Sequence, residues 1–324
     1  MAIRTTVVGS YPKPPDEGET FVLRKTLHGL EKGDTTLDDL RKVHEDLARQ
    51  AIKEQEEAGI DVVTDGHVRW DDLLTPFARQ MRGFEIGGLL RWFDNNVYYR
   101  RPIATGPIEW GGPASVEAFQ FAQSVATRPV KAVIPGPITF ARLSVDEHYG
   151  THQDFVFAIA RVLAQELFEL EAAGATIIQI DEPALLDAPE DLDLASEALY
   201  AMTGELKSAH TILCTYFGDA KRLGPQFFDL PVHEFGLDLI SGPENMVLVG
   251  DLPPEKHLQA GIVNARNTRL EDEDELVRLI TELSEVTGND SIAVSPSAGL
   301  EFLPREKARA KLHRLAAAAK KVGA

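Results

Sequence analysis

Two adjacent carboxylates, Asp181 and Glu182, stand where the apolar run TIIQI ends and Pro183 stops it. Paired acids at the end of a buried strand suit acid–base work or the holding of a cationic group. Burying them is costly unless something pairs with them, so the plain alternative is a structural pair that caps the next helix or meets an Arg or Lys. Thirty residues on, HTILCTYF places the single cysteine, Cys214, and Tyr216 together. Strand alternation puts His210, Ile212 and Cys214 on one face. A thiolate there is a zinc ligand or a nucleophile; the alternative is a small buried hydrophobe, as most unpaired cysteines are. Asp65 and His67 flank Gly66, which lets the chain turn. His67 there is a base, a ligand or a partner of Asp65.

These residues need a frame that brings distant positions to one place, and the chain supplies a pattern for it. Short apolar runs alternate with helical periodicity about eight times. The strands are expected at 5–9, 60–63, 131–134, 176–180, 211–217, 232–240, 261–265 and 291–294, and 261–265 is preferred over 247–250 for the seventh place. Helices are expected at 37–58, 70–83, 155–173, 271–286 and 304–321, with an irregular loop over 13–37. Residues 86–113, rich in aromatics, Gly and Arg, read as an inserted hairpin or lid. The alternation predicts an α/β fold, a (β/α)8 TIM barrel, as one domain over 1–324. In such a barrel the ends of the strands meet at one mouth. Ser10 and Tyr11, Asp65 and His67, Asp181 and Glu182, Cys214 and Tyr216, Glu234 or Asp238, and Asn264 and Arg266 are therefore expected around it.

The length, 324 residues, lies within the single-domain range of such barrels, and 44% hydrophobic residues support a large core. A formal charge of -18 argues against sequence-independent nucleic-acid binding and against docking on anionic membranes. One cysteine excludes an internal disulfide. No run approaches the length of a membrane span and no signal-peptide core is evident, so a soluble cytoplasmic protein is expected. A Gly-rich phosphate loop, GxSxG, HExxH and paired CxxC are all absent from the sequence.

Seven stretches in order, TTVVGSYPKP, TDGHVRW, IPGPITF, IQIDEPAL, ILCTYFGD, AGIVNARNTRLE and SPSAGLEFLPREKA, resemble the cobalamin-independent methionine synthase family nearly end to end. The resemblance implies a methyltransferase that moves a methyl group from a folate or another carrier to a small thiol such as homocysteine, with zinc making the thiol a thiolate. It implies that Ser10 contacts the amino acid and Asp181 holds its ammonium group. Tyr11, Asp65, Tyr216 and Asn264 join them as substrate-binding residues. Cys214 matches the cysteine of the family's His-x-Cys zinc pair, and Glu234 and His67 complete the expected metal set. Glu182, Arg266 and His67 are the expected catalytic residues. The sequence departs from the family pattern where Ile212 replaces the His of the pair, Ala298 the second zinc cysteine, His67 a Glu, and Arg266 the catalytic His. Those departures leave two other readings open: a barrel resembling the family's metal-free N-terminal half, which binds a ligand or a partner barrel, and a metal-free acid–base enzyme acting on a carboxylated substrate.

Overall fold

The computed structural model describes residues 3–13, 21–288 and 291–323. Its elements in chain order are β1 (Arg4–Thr5), α1 (Val22–Lys32), α2 (Leu37–Glu57), α3 (Thr75–Gln80), β2 (Met81–Arg91), β3 (Tyr98–Trp110), α4 (Val116–Val125), β4 (Ala132–Pro135), α5 (Pro137–Arg142), β5 (Val145–Asp146) and α6 (His152–Ala172). There follow β6 (Ile177–Asp181), α7 (Leu192–Thr203), β7 (His210–Thr215), β8 (Glu234–Asp238), α8 (Asn245–Val249), β9 (His257–Val263), α9 (Glu273–Thr287), β10 (Ile292–Pro296) and α10 (Arg305–Val322).

The apolar runs become parallel strands because nearly every residue in them is buried. Among the described residues they form one seven-stranded sheet in the order β1-β10-β9-β8-β7-β6-β4. Register is set by neighbours such as Asp181 opposite Cys214, and Cys214 opposite Gly236. The sheet curls until its two edges approach the same segment. Thr6 bridges Val62, Val63 bridges Val130, and the Lys131 N–H donates to the Val63 carbonyl at 2.8 Å. The expected second strand at 60–63 is thus reduced to isolated bridges.

The helices lie outside the sheet. In α6 the residues Phe155, Ile159, Leu163, Leu167 and Leu170 recur at helical spacing and are all buried. Its first turn is capped by Thr151, whose hydroxyl accepts the Asp154 N–H at 3.1 Å. Among the described residues no helix is long and apolar enough to cross a membrane.

Several expectations change. Helix α1 occupies part of the segment read as loop over 13–37, of which 14–20 lie outside the described residues. The helix expected at 70–83 shrinks to α3, because Asp72 gathers the chain just before it: its Oδ1 accepts from the Leu74 and Thr75 N–H groups at 2.8 and 2.7 Å. Met81 then starts the insertion. That insertion is an antiparallel hairpin of β2 and β3, running from Met81 to Trp110 rather than over 86–113. Residues 247–249 fall in α8 and Gly250 caps it, and β9 takes the seventh place, starting four residues before Gly261.

Polar side chains run through the inside of the curl. The Lys131 Nζ donates to the Val7 carbonyl at 2.7 Å, to Gln259 Oε1 at 2.9 Å, and to Gln179 Oε1. Gln179 Nε2 donates to the Val8 carbonyl at 2.8 Å and to Asp181 Oδ1 at 2.6 Å. Burial pulls the Lys131 ammonium down to about 8. This network ties the segment after β1, the residue before β4, β6 and β9 together, and it ends at a carboxylate facing a cavity.

Candidate active site

A cavity of about 270 Å³ opens at the C-terminal ends of the strands. The segment after β1 contributes Val8, Gly9, Ser10 and Lys13, and the segment before α3 contributes His67, Trp70, Asp71 and Asp72. The hairpin sends in Trp92, Val97 and Tyr98. Asp181 comes from the end of β6, Tyr216 and Phe217 from just beyond β7, and Gly299 and Glu301 from just beyond β10.

Asp181 is buried and each of its oxygens has a donor: Gln179 Nε2 on Oδ1 at 2.6 Å and the Tyr216 hydroxyl on Oδ2 at 3.1 Å. Burial pushes its carboxyl up to about 7, with Gln179, Lys131 and Tyr216 opposing. Glu301, which lines the same cavity, is likewise pushed up to about 7 by burial. Its Oε2 is sealed from solvent and, among the described residues, has no hydrogen-bond partner. Burial also pulls the Lys13 ammonium below its ordinary range, against the pull of Asp71, Glu301 and Asp72, and Lys13 donates to the Trp70 carbonyl.

His67 sits at φ 51°, a left-handed turn prepared by Asp65, whose Oδ1 accepts the His67 N–H at 3.0 Å. Its Nδ1 lies 3.1 Å from Ser10 Oγ, and its ring stacks on Trp70 at 3.8 Å. A side chain at Gly9 would place its Cβ 2.4 Å from the His67 ring, so only glycine admits the imidazole there. Burial drives His67 down to about 3, which keeps it neutral.

Of the expected site residues the fold therefore gathers Ser10, His67, Asp181 and Tyr216 around the cavity. Others go elsewhere. Tyr11 is buried away from the cavity, its hydroxyl donating to Glu54 Oε2 at 2.9 Å, with the Arg305 guanidinium 5.4 Å from its ring. Asp65 stands behind His67 as a turn residue. Asn264 orders its own loop, Oδ1 accepting the Arg266 N–H at 2.9 Å. Arg266, expected in catalysis, reaches Asp94 of the hairpin turn at 2.9 Å and lies 5.3 Å from the Phe217 ring. Glu182, also expected in catalysis, takes the structural alternative. Its carboxylate accepts from the Ile138 N–H at 2.8 Å, the Thr139 N–H at 2.7 Å and the Thr139 hydroxyl at 2.6 Å, fixing the start of α5. Gly136 makes room for it: a Cβ there would lie 2.2 Å from the Glu182 carboxylate.

The expected metal set does not assemble. A zinc site needs three or four N, S or O donors around one point. Cys214 is buried below the cavity, packed over Gly236, and Gln259 Nε2 points at its Sγ at 3.7 Å. Burial first, then the charge of Asp181, holds its thiol well above the ordinary range. Glu234 lies at the opposite end of β8, accepting from Arg4 at 2.6 Å and bonded to His210 Nε2 at 2.8 Å. Asp238, the other carboxylate considered, anchors turns through the Phe217, Ile240 and Ser241 N–H groups. Ile212 and Ala298 bring no donor atoms. Among the described residues no three His, Cys, Asp or Glu side chains form a group able to hold a metal ion. The residues present do not fit zinc.

Glu301, Lys13, Trp70, Trp92 and Phe217 belong to the cavity and were not singled out by spacing. Glu301 lies four residues past Ser297 in SPSAGLEF, so following the eighth strand a little further reaches it. Nothing periodic marks Trp92, which a hairpin turn delivers.

Comparison with known proteins shows the family and the fold. The family described as "Cobalamin-independent synthase, Catalytic domain" matches residues 3–212. A methionine synthase of Saccharolobus solfataricus is 34% identical over 310 residues, 95% of this chain and 91% of that protein. One from Sulfolobus acidocaldarius is 32% identical over 313 residues, covering 95% and 88%. The fold is shared with a B12-independent methionine synthase from Shewanella sp. W3-18-1 in complex with selenomethionine, at a TM-score of 0.86, 23% identity and coverage of 99% and 98%. It is also shared with a putative vitamin-B12 independent methionine synthase from Listeria monocytogenes, at a TM-score of 0.77, 18% identity and coverage of 98% and 96%.

Proposed function

The chain belongs to the cobalamin-independent methionine synthase family, and from that premise we propose that its cavity is where a methyl group passes to the thiol of homocysteine or a close relative. The protein is a methyltransferase of that type. The observation that carries the placement is Asp181. It ends the IDEPAL strand, is held by Gln179 and Tyr216, and faces a cavity that fits a small amino acid. Its carboxylate binds the substrate ammonium, with Ser10 and the neutral His67 beside it as polar contacts. Trp70, Trp92 and Phe217 supply apolar wall for the sulfur and its methyl group.

The bridges through Val62 and Val63 support reading the sheet as a closed (β/α)8 barrel forming a single domain over 1–324, with the hairpin as its lid. The methyl donor is a folate or another carrier lying against the hairpin side. Small polar substrates of this kind suit a cytoplasmic setting. Zinc is typical of the family, yet the donors here do not fit it, so no step is assigned to a metal. The test is formation of methionine from L-homocysteine with methyl-folate or methylcobalamin, and its loss in Asp181→Asn. Absence of product from the wild type with both donors contradicts the proposal.

A further inference from the structure

Methyl transfer to sulfur requires that the thiol lose its proton, and an ordinary thiol titrates at about 8.5. With the zinc donors absent, another group must take that proton. Of the titratable groups lining the cavity, Lys13 donates to the Trp70 carbonyl, Asp71 pairs with Arg79 at 2.8 Å, Asp72 accepts from the Leu74 and Thr75 N–H groups, and Tyr216 donates to Asp181, which leaves Asp181, His67 and Glu301. Asp181 already accepts a donor on each oxygen, and the ammonium is its further partner. His67 lies against Ser10 and is too weak a base, at about 3. Glu301 differs from both: it lines the cavity, and its Oε2, tucked against Gly299, meets no donor among the described residues. A buried carboxylate oxygen left without a donor is costly, so the group favours taking up a proton.

We infer that Glu301 is the catalytic base of this site, removing the thiol proton in place of the missing metal. The inference rests on the methyltransferase reading above. The Glu301 carboxylate takes the proton as the S–H bond breaks. The sulfur pair forms the S–CH3 bond while the bond from methyl to carrier breaks, its electrons going to the carrier atom. The protonated Glu301 then returns the proton to that atom, so charge and protons balance. A carboxyl held at about 7 is well matched to both halves of this cycle. Gly299 is part of the arrangement, since a Cβ there would lie 2.1 Å from Glu301 Oε2.

The experiment compares L-homocysteine with L-selenohomocysteine, whose selenol is already ionised at neutral pH and needs no base. Glu301→Gln is expected to lose about 100-fold or more in kcat/KM with the thiol and to stay within about fivefold of wild type with the selenol. Glu301→Asp, which keeps a carboxyl, recovers part of the thiol rate. Equal losses with both nucleophiles, or none with either, overturn the inference while leaving the methyltransferase reading in place. A wild type inactive on both nucleophiles with methyl-folate and with methylcobalamin overturns the two together. Should neither variant fold, the wild-type thiol-to-selenol rate ratio decides. A rise that levels off near pH 7 supports Glu301, and a ratio that climbs on to about 8.5, the thiol's own range, overturns it.

Discussion

The Tyr216 hydroxyl donates to Asp181 Oδ2 at 3.1 Å, joining the end of β7 to the end of β6 inside the cavity. With Gln179 on Oδ1, this bond favours the charged carboxylate that burial alone would neutralise. Ammonium binding needs the ionised form, so affinity for L-methionine rises as pH rises through about 7 and falls below it. Removing the hydroxyl lets the carboxyl climb further. In Tyr216→Phe the rise moves to higher pH and affinity at pH 7 drops by about tenfold, the worth of one hydrogen bond to a charged group. Calorimetric titration across pH 6 to 9 measures both, and an unshifted profile contradicts the assignment.

Cys214 is predicted to be dispensable for chemistry. Its thiol is buried, raised well above the ordinary range, and contacted by Gln259 rather than by a metal group. Cys214→Ala should keep kcat/KM within about threefold and cost on the order of 1–2 kcal/mol of stability, a typical core truncation. The native thiol should resist a thiol reagent until the protein is denatured. Stoichiometric zinc by elemental analysis, lost in Cys214→Ala, would falsify this.

Glu182 is predicted to act on stability. It meets three donors at the start of α5, so Glu182→Gln sets an amide N–H against them. The cost is about 1–3 kcal/mol, a fall of several degrees in Tm for a chain of this size. Methionine affinity of the folded variant should change by less than about threefold. A variant with wild-type Tm and no activity would restore Glu182 to the catalytic role expected from its place beside Asp181.

Arg266 and Asp94 form an ion pair 172 residues apart in sequence that ties the hairpin turn to the loop after β9. Asp94 is 77% exposed, so the pair contributes about 0–1 kcal/mol to stability. If the hairpin covers the ligand, Arg266→Ala and Asp94→Ala should each raise KM several-fold with Tm nearly unchanged. The double variant should be no worse than either single one, because both remove the same contact. Additive losses would show that the two residues act separately.

The frame was legible in the sequence because buried parallel strands leave continuous apolar runs, and β6 through β10 lie where those runs fall. Strand ends also pointed to Ser10, His67, Asp181 and Tyr216, which line the cavity. Facing was harder. Asp181 and Glu182 are adjacent, and only the packing of Gly136 against Glu182 decides which one serves the cavity. Tyr11 follows Ser10 directly, yet Glu54 and Arg305 draw it outward. Family likeness pointed Cys214 and Glu234 to a metal. The register of β7 and β8 puts Glu234 opposite Ile212, at the far end from the mouth. Glu301 escaped notice because it lies past the strand, where chain direction depends on a turn rather than on periodicity.

The central claim, that the cavity between Asp181 and Glu301 receives the amino-acid sulfur, is tested most directly by crystals soaked in L-selenomethionine and measured at the selenium edge. A single anomalous peak inside the cavity is predicted, bounded by Trp70, Trp92 and Phe217, with the ligand nitrogen at hydrogen-bond distance from Asp181. Selenium bound elsewhere, with the cavity empty at saturating ligand, would contradict it.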